Sequence, residues 1–328
     1  MSKDFRVATF NLFNLVAPNT RYYGKRMYTQ ETFDQKKAWI CGQLQKMNAD
    51  IVGFQEVFHE EALKEVIAES GIYPNAHILT AGASGEAPVV GLVSRFPIRK
   101  HEVIVDFPEV LDYEGLEIPI RQFRRPVLKA ELEIRPNFNL TCFVIHLKSK
   151  RPLFTKEKNQ RKDNPIELAK GQARALILRA AEATAMRAVL VKYMRNKAHA
   201  VVVIGDMNDT GLAVSSRILS GENPFRNMPQ AKKKAIWDVL LYHVKDVQAR
   251  RSFQDFYYTH IYNGHYESLD HIMVSEELVQ ENPKHLGRVG YVRVLNDHLI
   301  DETLSNKGVK NWQSDHGQVV ATIEFKKR

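Results

Sequence analysis

Residues 201–209 read VVVIGDMND: four consecutive β-branched apolar residues, a glycine, then two carboxylates and a carboxamide within four positions. A run of Val and Ile this dense reads as a strand buried on both faces, and Gly205 lets the chain turn sharply as it leaves the sheet. Asp206, Asn208 and Asp209 then stand at a strand's carboxyl end. In α/β proteins that edge collects binding residues, because the scaffold beneath is rigid and the loops above are free to vary. An Asx-rich turn would account for the same residues without any chemistry. The rest of the chain decides between the two.

The length, 328 residues, fits one large α/β domain or two smaller ones. With 44% hydrophobic and 26% charged residues the composition is that of a globular protein, which sets aside disordered and fibrous classes. The apolar runs fall short of a membrane span, and MSKDFRVATF passes from charge directly into a strand pattern with no signal-peptide segment. A cytoplasmic protein without stable membrane association is the expectation. Cys41 falls in a helix and Cys142 in a strand, neither spaced for zinc or redox work, so both read as buried apolar fillers. The balance of 47 Lys+Arg against 38 Asp+Glu, net +9, favours an anionic partner: nucleic acid, anionic lipid or a free phosphoester. A basic solubility surface satisfies the same number.

RVATFNLFNL (6–15) reads as a first strand carrying Asn11 and Asn14. Phe33, Ile40, Leu44 and Met47 recur at helical intervals over 31–47, and ADIVGFQEV then makes a short strand ending at Glu56. HEEALKEVIAESG is a helix stopped by Gly71, which completes an α/β rhythm. Strand candidates at 89–98, 100–107, 123–134 and 140–150 form a mostly antiparallel meander. Asn164 and Pro165 supply the cap and first turn of a long helix to about Asn196, with Arg174, Arg179, Glu182 and Arg187 on its polar face. Region 210–250 has little pattern, and SFQDFYYTHIY, SLDHIMVS, RVGYVRVL and GQVVATIEF are again strand-like. Without repeats or a Pro/Ser linker, residues 1–328 read as one domain of two packed sheets. The basic stretch 148–162 is the candidate mobile loop.

Five segments share a design in which polar groups stand at the end of an apolar strand or just before one. They carry Asn11, Glu56, His146, Asp206 with Asn208, and Asp315 with His316. Turns alone do not call for Glu and His at buried strand ends. The chemistry that wants such a set is metal-assisted phosphoester hydrolysis: carboxylates bind a hard cation, the cation neutralises phosphate, and an acid/base pair activates water.

TFNLFN, DIVGFQEV, GLVSRFPI, FRRPVLKAEL, FVIHLKSK, VVIGDMND, SLDHIMVS and SDHGQVVATIEF occur in this order along most of the chain. In that order and spacing they resemble the endonuclease/exonuclease/phosphatase superfamily, which includes DNase I, abasic-site endonucleases, inositol-polyphosphate phosphatases and neutral sphingomyelinases. The resemblance implies a four-layer α/β sandwich, two packed mixed β-sheets flanked by helices, and Mg²⁺ as cofactor with Mn²⁺ as a substitute. It implies Glu56 as principal metal ligand with Asn11 beside it and Asp315 as a further metal contact. Asp206 would orient or deprotonate water, and Asn208 would hydrogen-bond the phosphoryl oxygens. His316, held by Asp270, would contact phosphate and move a proton, with His146 as the second histidine.

Arg125, before Pro126, resembles a family position near the substrate phosphate, where a bidentate contact would fit, and a plain surface cluster with Arg121 and Arg124 accounts for it equally; Lys148 and Lys150 would point to one side of an extended strand and steer phosphate. His271 and Asp209 read as structural, and the aromatics of DFYYTHIYNGHY as core or interface. The leading expectation is a metal-dependent phosphodiesterase acting on DNA or RNA. The alternatives are a phosphatase or phospholipid phosphodiesterase of the same fold and a catalytically silent binding module.

Overall fold

In the computed structural model of the chain the described residues are 4–24, 26–109, 111, 115, 118–154, 164–197, 199–225, 227–249, 257–262, 265–302 and 308–326. Most of the stretch 148–162, expected to be a mobile loop, therefore lies outside them. The first half contains β1 (Asp4–Leu15), β2 (Arg21–Tyr22), β3 (Arg26–Met27), α1 (Gln30–Met47), β4 (Ile51–His59), α2 (Glu60–Glu69), β5 (His77–Thr80) and β6 (Ser84–Ser94). Then come β7 (Ile98–Asp106), β8 (Gln122–Arg135), β9 (Phe138–His146), α3 (Pro165–Met194), β10 (Ala200–Asp206), α4 (Val214–Ser220) and α5 (Gln230–Trp237). The chain continues through β11 (Leu241–His243), α6 (Val244–Ala249), β12 (His260–Tyr262), β13 (His265–Glu267), β14 (Asp270–Ser275), β15 (Gly287–Leu295) and β16 (Gln318–Phe325).

Two six-stranded sheets result, one ordered β15-β16-β1-β4-β6-β5 and the other β11-β14-β10-β9-β8-β7. Each has a single parallel pair at its centre, β1 with β4 and β9 with β10, and antiparallel neighbours outside it. Both sheets are therefore mixed. This geometry places the carboxyl ends of the central strands at the same edge as the amino ends of their antiparallel neighbours β14 and β16.

The strand alternation explains the layers. On β10, Ala200, Val202 and Ile204 belong to the core shared with the first sheet, whereas Val201 and Val203 pack with Ala181, Ala185, Met186 and Leu190 of α3. Both faces of the strand are buried, so both parities had to be apolar. On the first sheet, α1 contributes Phe33, Ile40 and Leu44 and α2 contributes Leu63, Val66 and Ile67 to the core. Each fully buried Val, Leu, Ile or Phe contributes roughly 1.5–3 kcal/mol of transfer free energy. The helix ends follow local chemistry: the Asn164 side chain accepts from the amides of Ile166 and Glu167, and the Thr29 side chain from that of Thr32. Cys41 and Cys142 are buried free thiols in a helix and a strand, as expected.

Three expectations are corrected here. Gly205 is not a turn residue: it remains in the ladder, opposite Ile145 and His271, at φ 152°. A Cβ there would lie 1.9 Å from the Ile145 carbonyl oxygen, so glycine is required by the close approach of β9. The meander is β7-β8-β9 only, because β6 pairs with β4 and β5 in the other sheet. The face of α3 expected to be polar is partly inward: Arg179 and Glu182 are buried. No described helix is long and apolar enough to cross a membrane.

Candidate active site

The central parallel strands of the two sheets end at one edge, and their ends carry the polar residues. Asp206, the last residue of β10, is in register with His146, the last of β9, and with Asp270, the first of β14. From the facing sheet β1 brings Asn11 and β4 brings Glu56, while Asp315 and His316 immediately precede β16. At this edge lies a cleft of about 590 Å³, lined among others by Glu56, His146, Asp206, Asn208, Asp315 and His316.

Backbone conformation aims several of these side chains. Phe13, Asn14, Glu56 and Asn208 have φ values of 48°, 63°, 62° and 53°. Asn tolerates the left-handed region, so positions 14 and 208 follow from residue type. Glu56 does not, and its conformation, at a register shift of β4 against β6, costs of order 1–3 kcal/mol. That irregularity takes Glu56 out of strand alternation and into the cleft.

Asp206 is the hub. Its Oδ2 accepts from Asn11 Nδ2 at 3.2 Å and lies 3.4 Å from His146 Nε2 and 3.9 Å from His316 Nε2. Its Oδ1 accepts from the Asn208 amide at 2.8 Å, and Asn208 Nδ2 donates to the Leu147 carbonyl at 3.0 Å. His316 Nδ1 is 2.8 Å from Asp270 Oδ2, and Ser314 Oγ fixes this corner by donating to the Asn11 carbonyl and accepting from the His316 amide.

The two imidazoles are pushed in opposite directions. Burial disfavours a charged His316, but Asp270, Asp206 and Asp315 outweigh it and hold its pKa well above the usual histidine range. Burial, with Arg125 and His316 adding to it, holds His146 well below that range. His316 is therefore the cationic imidazole and His146 the neutral one. Burial raises Asp206 to about 7, against His316 and together with Asp270.

Glu56 is raised by burial and then by Asp315; Arg125, His316 and Lys36 oppose this. Two carboxylates facing one space, with Asp315 Oδ1 and Asn14 Oδ1 buried and without hydrogen-bond partners among the described residues, are hard oxygen donors that suit a divalent cation. Glu56 belongs to neither of the described groups whose ligand atoms lie close enough together to hold a metal, which are His260 with Asp315 and His316, and Asp206 with Asp270 and His316. In the second of these Asp270 and His316 are already bonded to each other.

Arg125 lines the cleft, its Nη1 3.4 Å from the Leu147 carbonyl and its buried Nε without a partner among the described residues. Lys148 and Lys150 do not line it. β9 ends at His146, so strand alternation no longer applies beyond it. Lys148 is buried and its ammonium donates to the carbonyls of Ser149 and Arg151 and to Ser149 Oγ at 2.7, 2.9 and 3.1 Å. Burial, together with Arg124, Arg125 and Arg179, lowers its pKa to about 8. Lys150 pairs with Glu267 at 2.9 Å. Glu182 of α3 accepts from the amides of Arg124 and Lys148 at 2.9 and 2.7 Å, which explains its burial.

Asn11 is likewise committed: Oδ1 accepts from the Phe13 amide at 3.0 Å, and Asn14, not Asn11, lines the cleft. A direct metal contact is therefore better suited to Asn14. His271 Nε2 lies 2.9 Å from the Asp209 carbonyl oxygen, and the Asp209 carboxylate holds Ser215 and Arg179, the structural roles expected of both.

Sequence reasoning did not find Tyr23, Arg26 and Arg151, which line the cleft from the β2–β3 ribbon and the segment after β9. Nor did it find Lys36. Fully buried on α1, Lys36 donates to the Phe13 carbonyl at 3.0 Å and lies over the Phe13 and Tyr28 rings. Burial lowers its pKa to about 7 while Glu56 and Asp315 favour its charge. Only a helical Lys directed at a strand irregularity would signal this, and local pattern does not encode the direction.

Lys36→Met keeps the apolar stem and removes the ammonium that supports the strained Phe13–Asn14 segment. It is expected to cost about 1–3 kcal/mol in denaturant unfolding, with part regained in excess Mg²⁺. Identical midpoints for parent and variant with and without Mg²⁺ would remove this role.

By sequence alone, no curated protein matches the chain. Among solved structures, a humanized D. rerio TDP2 carrying 14 mutations aligns with a TM-score of 0.58 at 14% identity, covering 98% of this chain and 100% of that one. An endonuclease/exonuclease/phosphatase from Bacteroides vulgatus aligns with a TM-score of 0.58 at 16% identity over 99% and 100%. A D. rerio TDP2 complexed with single-strand DNA product gives 0.55 at 12% identity over 98% and 100%. At these identities the likeness is one of fold: two mixed sheets packed face to face between helices. A family sequence model matches residues 8–316, from the first central strand to the histidine that Asp270 holds, and on that match the chain belongs to the Endonuclease/Exonuclease/phosphatase family.

Proposed function

We propose that this protein is a divalent-metal-dependent phosphodiesterase that cleaves nucleic acid by in-line attack of water. The observation that carries the reading is Asp206, a buried carboxylate 3.4 Å from His146 Nε2 and 3.9 Å from His316 Nε2 that lines the same cleft as Glu56 and Asp315. Asp206 has the position and the raised pKa of a group that aligns water and accepts its proton. His316, kept charged by Asp270, meets the phosphoryl oxygens as negative charge builds, and Asn208 has a second Nδ2 hydrogen free for the same oxygens. His146 stays neutral and hydrogen-bonds the carboxylate or the incoming water. Glu56 and Asp315, with Asn14 beside them, would hold Mg²⁺ or Mn²⁺, which when bound neutralises phosphate and acidifies water.

One catalytic unit spanning 1–328 is part of the reading, since Asn14 and Asp315 line the same cleft from opposite ends of the chain. A nucleic-acid substrate is supported by the net charge of +9, by the arginines at the cleft, and by the fold likeness to a protein solved with single-strand DNA product.

The test is turnover by the pure protein, with Mg²⁺ or with chelator, on DNA, RNA, bis-p-nitrophenyl phosphate, inositol phosphates and sphingomyelin. Cation-dependent cleavage of polynucleotide is expected, with an affinity that falls steeply with salt because several phosphate contacts release counterions together. Exclusive turnover of inositol phosphate or sphingomyelin would replace the nucleic-acid reading with the phosphatase or lipid one.

A further inference from the structure

The cleft holds more positive charge than one phosphodiester requires. A scissile diester carries a single negative charge, which Arg125 and a cation held by Glu56 and Asp315 would answer. Arg125, Arg26 and Arg151 line the same cleft from β8, the β2–β3 ribbon and the segment after β9. Among the described residues, neither Arg26 nor Arg151 has a carboxylate partner, whereas Lys150, Arg179 and Arg288 do.

Tyr23 stands among these groups. It occupies the tip of the ribbon at φ 45°, directly before Gly24. Its ring packs edge-on against Phe58 at 5.6 Å, and Tyr22 beneath it is buried against Tyr28 and Phe58 at 5.4 and 5.8 Å. The ribbon tip is thereby anchored, yet the Tyr23 side chain remains 58% exposed at the cleft. Burial and then Glu56 raise the pKa of its hydroxyl, against Arg125, Arg151 and Arg26. A fixed, exposed aromatic face next to two unpaired guanidiniums has the chemistry of a nucleotide subsite: guanidinium for phosphate, ring for base.

We propose that Tyr23, Arg26 and Arg151 form a second subsite, which binds the phosphate adjacent to the scissile one in a nucleotide chain and stacks its base on Tyr23. The proposal rests on the nucleic-acid reading above and adds a substrate requirement to it. Cleavage then favours a nucleoside carrying two phosphates over one carrying only the reacting diester.

The experiment compares p-nitrophenyl thymidine 3′-phosphate with and without a 5′-phosphate, and the 5′-diester with and without a 3′-phosphate. In one polarity the extra phosphate is expected to raise kcat/KM roughly tenfold or more, the worth of a charge-assisted contact. In R26A/R151A the ratio of the two substrates should fall to about one. Tyr23→Ala should lower the preference for nucleoside over bis-p-nitrophenyl phosphate, and Tyr23→Phe should keep it.

Calorimetric binding of thymidine 3′,5′-bisphosphate against the two monophosphates needs no turnover. A bisphosphate preference that disappears in R26A/R151A supports the subsite even if no diester is hydrolysed, in which case the catalytic reading alone fails. Equal affinities in the parent protein, a preference that survives in the double variant, or tighter binding of an inositol bisphosphate than of the nucleoside bisphosphate overturns the subsite. Cation-dependent hydrolysis of the bare diester would still leave the catalytic reading standing.

Discussion

Glu56→Gln is expected to abolish most cation-dependent turnover while the fold survives. The carboxylate is held against burial and against Asp315 in a strained backbone conformation, an arrangement that costs stability unless a cation or substrate uses it. Replacing the anion by an isosteric amide removes that repulsion and also the charge that attracts a hard ion. Loss of several kcal/mol of transition-state stabilisation corresponds to roughly 10²–10³ in kcat/KM. Thermal unfolding should show an equal or higher Tm for the variant without metal, and a much smaller rise on adding Mg²⁺. Retention of parental Mg²⁺ dependence in both rate and Tm would exclude Glu56 as the ligand.

Asp270→Asn is expected to lower turnover by roughly 10²–10⁴, the range for disabling a positioned acid/base group. The sign of its pH effect follows from what faces His316. Burial pushes the imidazole toward neutrality, and Asp270, Asp206 and Asp315 together reverse that. Removing the charge of Asp270, the largest of the opposing contributions, lowers the pKa of His316 in the folded protein. The protonated fraction is then lost first at high pH, so the alkaline limb of the kcat/KM profile moves to lower pH. Parental activity with an unchanged alkaline limb would sink the pair's role. Asp270 is fully buried and its Oδ1 has no hydrogen-bond partner among the described residues, so the amide fits only if its NH₂ finds an acceptor. Comparing unfolding midpoints separates that cost from the chemical one.

Much of the architecture was legible in local pattern. Phe33, Ile40 and Leu44 at helical spacing, the Asn164–Pro165 start, and the unbroken VVVI run each name an element type, because side-chain direction repeats every 3.6 residues in a helix and every two in a strand. The site was legible for a related reason. Polar residues at the ends of apolar strands have no packing purpose, so Glu56, His146, Asp206 and His316 stood out before their neighbours were known. Their convergence needed only that the strands carrying them lie at the centre of two facing sheets.

Lys148, Lys150 and Asn11 mark where that reasoning stopped. A lysine two residues past a strand end has no fixed direction, and here Glu182 and Arg179 of α3 draw the segment inward by its backbone. Asn11 was placed in the right cluster, but its amide is spent on Asp206 and on the Phe13 backbone. Of the arginines that do face the cleft, Arg26 and Arg151 come from segments with no periodicity to read.

The sequence by itself determined the type and order of the strongly patterned elements and the polar residues at their ends, since both rest on interactions between near neighbours along the chain; β2, β3 and the elements of 210–250 carried too little pattern to be read. Tertiary structure alone decided that β6 leaves the meander for the other sheet, that Gly205 serves the approach of β9, that Lys36 lies buried against the Phe13 carbonyl, and that Tyr23, Arg26 and Arg151 share one cleft. Each of these depends on contacts between segments far apart in the chain, whose partner, register and direction no local pattern specifies.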